Sequence, residues 1–319
     1  MRPEPADVSD AERGGSGPGG GGAQGGAAVK LGLGTVQFGL DYGISNAGGR
    51  TPQDEVVAIL DAARRHGVSV VDTAAAYGCS EQVLGAAGVG DGPFRVVTKT
   101  LPVRREQVGA ADAAALRARF LASLEQLRLS QAYGLMVHHC DDLFAPGGAL
   151  LWEAMCRLRE EGRVSRLGAS VYGGAQIERL LAQYPVDIVQ VPVNVFDQRL
   201  LAGGQLRRLK AAGVEVHARS VFLQGLLLME PQQLPAHFDP IRRHVAAYRA
   251  CVDRAGVSPQ AAAYHFVAGL PEIDTVVCGV NDRRQFEELC RIAGQPLELD
   301  LAGFGLNDER YVDPSRWPS

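Results

Sequence analysis

The chain has 319 residues, 46% of them hydrophobic and 21% charged, and Lys+Arg 32 against Asp+Glu 36 gives a formal net charge of −4. That near-balance argues against a nucleic-acid partner, and no apolar run reaches the roughly 18 residues of a membrane span. The opening residues lack the basic start and apolar stretch of an export signal. A cytoplasmic globular protein is therefore expected, its six cysteines (Cys79, Cys140, Cys156, Cys251, Cys278, Cys290) reduced and separate, since none forms a C-x-x-C pair.

Residues 1–28 stand apart. Nine of them are Gly and large apolar side chains are nearly absent, so burial cannot offset the entropy of ordering them. A disordered Gly-rich tail is expected there. No strand precedes those glycines and no helix follows, as a phosphate-cradling loop would require.

From residue 29 onward short apolar runs alternate with longer stretches of helical spacing. In chain order the pattern predicts a strand at 30–35 and a helix at 52–66, with Thr51 as its N-cap and Gly67 just past its end. Strands at 69–72 and 95–99 come next, then a helix at 110–127 and a strand at 133–138. The alternation continues as helix 150–161, strand 166–171, helix 176–183, strand 188–191, helix 198–212 and strand 214–219. It closes with helix 258–268, strand 275–278 and helix 282–293. The strands are short and apolar on both faces, as buried parallel strands should be.

Eight strands alternating with helices over about 270 residues is the count and length of a (β/α)₈ barrel, the TIM-barrel architecture. The competing open, doubly wound sheet normally carries G-x-G-x-x-G at its first strand–helix turn. Here Gly32-Leu-Gly-Thr-Val-Gln37 puts Gln where the third glycine belongs, and a loop over 38–49 separates it from the first long helix. The expected organisation is a tail over 1–28, a barrel over 29–303 and a C-terminal loop over 304–319.

Barrel chemistry sits at the C-terminal ends of the strands. Read in order, those ends supply Asp72, Lys99 and His138, with Tyr77 in the loop after the second strand. Alone, each has an ordinary explanation: a helix cap, a solvated cation, a packing ring, a hydrogen-bonded structural imidazole. Together they form a coherent set. A tyrosine hydroxyl ionises near 10 and is a poor acid at neutrality, and an adjacent ammonium should lower that value. Asp72 would hold the ammonium, and His138 would hydrogen-bond both the Tyr oxygen and a substrate carbonyl. The set contains no nucleophile or electron source, so a carbonyl polarised in this way needs a hydride from a nicotinamide cofactor.

The chain resembles the aldo-keto reductases through Leu31-Gly-Leu-Gly-Thr35, Val71-Asp-Thr-Ala-Ala-Ala-Tyr-Gly78 with Ser80-Glu81, Val97-Thr-Lys99 and Leu135-Met-Val-His138. The likeness continues through Leu167-Gly-Ala-Ser170, Val189-Gln-Val-Pro-Val-Asn194, Arg219-Ser-Val-Phe-Leu-Gln-Gly225 and Val277-Cys-Gly-Val-Asn281. The opening Leu33-Gly-Thr-Val-Gln-Phe-Gly-Leu-Asp-Tyr-Gly43 is similar to a bacterial subgroup of poorly defined physiological substrate.

The resemblance implies an NAD(P)H-dependent oxidoreductase that reduces an aldehyde or ketone to an alcohol, or the reverse. It makes Tyr77 the proton donor, Lys99 and Asp72 its tuning pair, and His138 the orienting group. It assigns the cofactor to Gly34, Thr35, Val36, Asp72, Ser170, Gln190, Arg219, Ser220, Phe222, Leu223, Gly225, Gly279, Asn281, Gln285 and Glu288. Within that set Ser170 and Gln190 hold the nicotinamide carboxamide, and Arg219 stands where many members stack an aromatic ring. Residues 220–225 wrap the pyrophosphate, and Gly279, Asn281, Gln285 and Glu288 surround the adenosine.

Several positions depart from the family pattern. Val171 replaces an Asn at the carboxamide and Leu289 an Asn at the adenine. Gly279 and Gln285 stand where classical members place Lys and Arg against the 2′-phosphate, with Arg283 and Arg284 near enough in sequence to substitute. NADPH is the first expectation and NADH the alternative. The other class of function compatible with the fold is a nicotinamide-sensing regulatory protein with little turnover.

The run His138-His-Cys-Asp-Asp142 is not expected to bind metal, because successive strand residues face opposite ways and zinc needs three or four ligands. His139 is expected in the pocket wall, Cys79 and Trp152 in the interior, and the segment 304–319 is a candidate to fold over the barrel mouth. Substrate selection is expected from loops over 139–148, 226–240 and 304–319. The partner is a small carbonyl or alcohol, with a monomer plausible.

Overall fold

The computed structural model describes residues 30–44, 46 and 48–318; the expected tail over 1–28 lies outside them. Eight parallel strands form a closed barrel: β1 (Leu31–Gly34), β2 (Val70–Asp72), β3 (Arg95–Lys99), β4 (Ala132–Val137), β5 (Val164–Ser170), β6 (Ile188–Pro192), β7 (Glu215–Arg219) and β8 (Thr275–Gly279). Each pairs with the next in chain order, and β8 returns to β1 in the register Gly34↔Gly279.

The eight expected strands are those observed, with shifts only at their ends; β5 starts two residues before its expected position at 166. The reason is the burial on both faces: all four residues of β1 and all five of β6 are buried. Alternate residues point inward. Val97, Met136 and Ile188 form an apolar layer inside the barrel, while Leu33, Val71, Val96 and Leu135 join the larger core between sheet and helices.

Helices depart from expectation in several places. The stretch 198–212 is two helices, Arg199–Ala202 and Gln205–Ala211, because Gly204 takes a left-handed φ of 77° between them. Thr51 is not a cap: the helix begins at Gln53 after Pro52 in the N-cap position, and the buried Thr51 hydroxyl has no partner. Helices Ser80–Ala86 and Arg242–Arg254 were not expected; the second buries Val245, Tyr248 and Val252 on one face.

Candidate active site

At the C-terminal end of the barrel a cleft of about 460 Å³ runs from Tyr77 and His138 to the end of β8 and the start of helix Arg283–Ala293. A cleft there occupies the usual position of barrel active sites, and its volume is in the usual range for small-molecule pockets.

The four strand-end candidates are brought together. Lys99 is fully buried, and its Nζ donates to Asp72 Oδ2 at 2.6 Å, to the Thr73 carbonyl at 3.0 Å and to Tyr77 Oη at 3.5 Å. Those three contacts match its three donors. Asp72 Oδ1 accepts from Gln190 Nε2 at 2.7 Å across the barrel, so both carboxylate oxygens are engaged. The His138 ring meets Tyr77 edge-on, with centroids 5.7 Å apart.

Burial works against the Lys99 ammonium, but the Asp72 carboxylate and the Tyr77 hydroxyl outweigh it and hold the pKa above the usual lysine value. Tyr77 behaves differently from the sequence expectation. Burial pushes its hydroxyl up and Lys99 pulls it down, and the net direction is upward. Desolvation of a phenolate inside the cleft exceeds the attraction of an ammonium already neutralised by Asp72. Tyr77 is thus held as a neutral O–H with a cation beside it.

Burial, reinforced by the nearby Lys99, Arg219 and Arg104 cations, lowers His138 from 6.5 to about 3. His138 is neutral in the folded protein. In the unfolded chain it takes up a proton near its ordinary value, so the unfolded state binds more protons between about pH 6.5 and 3. Its contribution to stability is therefore complete above that window and lost as the pH falls through it, at about 1.4 kcal/mol per unit. Urea midpoints measured from about pH 7 down to 4.5 should fall more steeply for the wild type than for His138→Gln. Parallel slopes would contradict a neutral, buried His138.

The loop that carries Tyr77 is fixed by backbone packing. A Cβ on Gly39 would lie 1.8 Å from the Tyr77 carbonyl oxygen, and one on Gly78, at φ 56°, would lie 2.4 Å from the Gly39 carbonyl oxygen. Glu81, buried behind this loop, accepts from Thr98 Oγ1 at 2.7 Å and Arg119 Nη2 at 2.8 Å. Sequence reading gave Glu81 only as part of a motif; here it ties helix Ser80–Ala86 to β3 and to helix Ala110–Leu127.

Most of the residues assigned to the cofactor line the cleft: Gly34, Thr35, Val36, Asp72, Ser170, Gln190, Arg219, Ser220, Phe222, Gly225, Gly279, Asn281 and Gln285. Two do not. Leu223 is fully buried in the cluster around Phe196 and Tyr248, and Glu288 lies on the outer helix surface paired with Arg291 at 2.6 Å. Leu289 from the same helix faces the cleft instead. Arg219 is held by Ser220 Oγ and the Val171 carbonyl, both at 3.1 Å, with its guanidinium over the Tyr172 ring at 4.5 Å. After β7, Ser220, Leu223 and Gln224 take positive φ of 59°, 48° and 52°, which non-glycine residues rarely adopt outside functional sites.

Sequence reasoning did not single out Gln37, Tyr42, Asn46, Tyr172 and Gln260 as lining residues. Tyr42, Asn46 and Tyr172 lie outside helices and strands, where periodicity gives no signal. Of the three expected specificity loops, only 226–240 reaches the lining among the described residues, through Leu228. The C-terminal segment packs aside: Trp317 lies edge-on to Phe238 at 4.9 Å, and Leu306 N–H donates to the Phe196 carbonyl. His139 is not in the wall either; its Nδ1 lies 3.1 Å from Asp142 Oδ1. Cys79 is half-buried, with the Arg50 guanidinium 3.4 Å from its sulfur, rather than interior. Trp152 is core as expected, packed on Tyr184. All six cysteines are free, and no cluster suited to a metal occurs among the described residues. No described helix is long and apolar enough to cross a membrane.

The fold and site define a (β/α)₈ barrel with a titratable cluster at its strand ends. Residues 30–300 match the model of the Aldo/keto reductase family, and the chain belongs to that family. Aldo-keto reductase YhdN of Bacillus subtilis is 26% identical over 180 residues, covering 54% of this chain and 52% of its own length. An aldo-keto reductase of a Mycobacterium species is 30% identical over 189 residues, 57% of this chain and 64% of its own. The matched stretch therefore spans between half and two thirds of these curated relatives.

Among solved structures, aldo-keto reductase AKR11C1 of Bacillus halodurans, in its holo form, superposes with a TM-score of 0.68 at 19% identity, covering 86% of this chain and 90% of that one. Glycerol dehydrogenase AKR11B4 of Gluconobacter oxydans gives 0.64 at 20% identity, with 84% and 88% covered. At such identities these two show the shared barrel.

Proposed function

We propose that the protein is a nicotinamide-dependent oxidoreductase that interconverts a small aldehyde or ketone and its alcohol. The observation that carries this reading is the neutral Tyr77 hydroxyl 3.5 Å from a fully buried ammonium that Asp72 holds at 2.6 Å. The cleft residues fit a dinucleotide. Buried and unpartnered polar atoms stand along its lining, at His138 Nδ1, Gln37 Oε1 and Asn281 Oδ1. Gln190 spends its amide nitrogen on Asp72, which leaves its carbonyl oxygen free to accept from a carboxamide N–H. Ser220, Phe222 and Gly225 would hold the pyrophosphate, and Gly279, Asn281 and Gln285 the adenosine.

A bound nicotinamide supplies the hydride to the carbonyl carbon, or receives it in the reverse direction. Tyr77 gives its proton to the carbonyl oxygen, and Lys99 stabilises the phenolate left behind. Asp72 keeps Lys99 charged throughout. His138, neutral at physiological pH, donates an N–H to the same oxygen and sets the angle at which the substrate approaches Tyr77. Because Tyr77 starts above its ordinary pKa, proton donation depends on Lys99 lying close enough to take up the developing charge.

The test is nucleotide consumption by the purified protein over a panel of aldehydes and ketones, with alcohols and oxidised nucleotide for the reverse direction. Turnover with at least one member supports the reading. Failure to bind either nicotinamide nucleotide would overturn it. Tight nucleotide binding with no turnover on any member would favour a sensor, against which the complete Asp72, Tyr77, Lys99, His138 set now argues.

A further inference from the structure

The end of the cleft remote from Tyr77 is built from Gln37, Gly279, Val280, Asn281, Gln285 and Leu289. Among the described residues no charged side chain lines this end; the charged residues that line the cleft, Asp72 and Arg219, belong to the strand ends of β2 and β7. Gln37 lies directly over Gly279: a Cβ there would be 2.6 Å from Gln37 Oε1 and 2.7 Å from Nε2. The Gln37 amide thus fills the space that any side chain at 279 would need. Gln37 Oε1 and Asn281 Oδ1 are both buried acceptors without a partner. Gln285 Oε1 accepts from Asn281 N–H at 2.9 Å, which fixes its amide beside them.

The nearest cations in sequence point elsewhere. Arg283 and Arg284 are exposed and outside the lining. Arg283 lies 3.8 Å from Glu287, and its backbone N–H donates to Glu55 Oε2 at 2.8 Å. The helix N-terminus behind them is already capped by Asp282, which accepts from Gln285 N–H.

A phosphate monoester brings close to two negative charges and only acceptor oxygens, and it is recognised by guanidinium or ammonium groups. Among the described residues no guanidinium or ammonium lines this end, and desolvating a phosphate without a cation is costly. A hydroxyl needs no cation, and the neutral amides of Gln37, Asn281 and Gln285 suffice to hydrogen-bond it. Resting on the dinucleotide reading above, we infer that this chain selects the nucleotide with a free ribose 2′-hydroxyl, NAD(H), over the 2′-phosphorylated NADP(H). The neutral amides of Gln37 and Gln285 set this choice, standing at this end where a phosphate needs a cation. This reverses the order that the family resemblance suggests.

The test is equilibrium binding, followed by quenching of intrinsic protein fluorescence with NADH and NADPH at one ionic strength. The wild type should bind NADH at least about tenfold more tightly. Gln285→Arg, and separately Gly279→Lys combined with Gln37→Ala, should each raise NADPH affinity by about tenfold or more without a matching gain for NADH, so that the preference reverses. Wild-type affinity for NADPH equal to or above that for NADH overturns the selectivity while leaving the dinucleotide reading intact. Binding of neither nucleotide overturns the dinucleotide reading, and the selectivity with it.

Discussion

Tyr77→Phe is expected to lower carbonyl turnover by about 10²- to 10⁴-fold while leaving nucleotide affinity nearly unchanged. The substitution removes one oxygen from a ring whose packing is otherwise retained: the ring sits edge-on to His138, with the Lys99 ammonium 5.1 Å from its centroid. The backbone that holds it is set by Gly39 and Gly78, not by the hydroxyl. The lost function is therefore proton donation alone. Steady-state kinetics beside a nucleotide titration separates the two effects. A variant that retains turnover within about threefold would remove Tyr77 from the mechanism, since general acid catalysis is worth far more than that.

Lys99→Met has the second large effect, and it falls on stability as well as rate. Lys99 and Asp72 are both buried, and among the described residues Lys99 supplies the only cation that contacts the carboxylate. Removing one partner of a buried ion pair leaves the other uncompensated, at a cost of about 3–5 kcal/mol. Asp72 would keep only the Gln190 amide as a side-chain donor. The double variant Asp72→Asn with Lys99→Met should recover much of that stability, because the buried charge is gone. Turnover should stay low in both variants, because Tyr77 loses the cation that stabilises its phenolate. Urea unfolding and kinetics on the single and double variants check this. A double variant as unstable as Lys99→Met, or a single variant with wild-type turnover, would contradict it.

The barrel was legible because its strands carry a strong signal. Runs such as Val-Val-Thr in β3 are apolar on the face toward the helices and on the face toward the interior, and only a closed or doubly covered parallel sheet buries both. The clustering of the candidate residues was legible for a related reason. Chemistry on this fold collects at strand ends, so locating β2, β3 and β4 located Asp72, Lys99 and His138 with them.

Much of the nucleotide end was less legible. Gln37 appeared in the sequence as the glycine missing from a dinucleotide fingerprint, and only the three-dimensional approach of β1 to β8 shows that its amide covers Gly279. Helical phase separates two neighbouring assignments: Glu288, expected at the adenosine, points outward, while Leu289, read as standing at the adenine, faces the cleft about 100° away. The break at Gly204 depends on a left-handed backbone that adjacent glycines permit but do not dictate. The direction of the Tyr77 shift could not be read from a list of neighbours, because desolvation and the Lys99 charge oppose each other and only burial decides between them. Helix Arg242–Arg254 did carry a readable pattern, with Val245, Tyr248 and Val252 three and four residues apart, but its arginines masked it.

The proposed reaction moves a hydride between a nicotinamide and a carbonyl carbon. Isotope transfer tests it most directly: reduced nucleotide deuterated at the nicotinamide C4 is incubated with the protein and an accepted aldehyde, and the alcohol is analysed by mass spectrometry. One of the two C4 epimers is expected to deliver its deuterium to the alcohol carbon, and Tyr77→Phe to slow this transfer without changing which epimer is used. Nucleotide oxidation with no deuterium in the alcohol would contradict it.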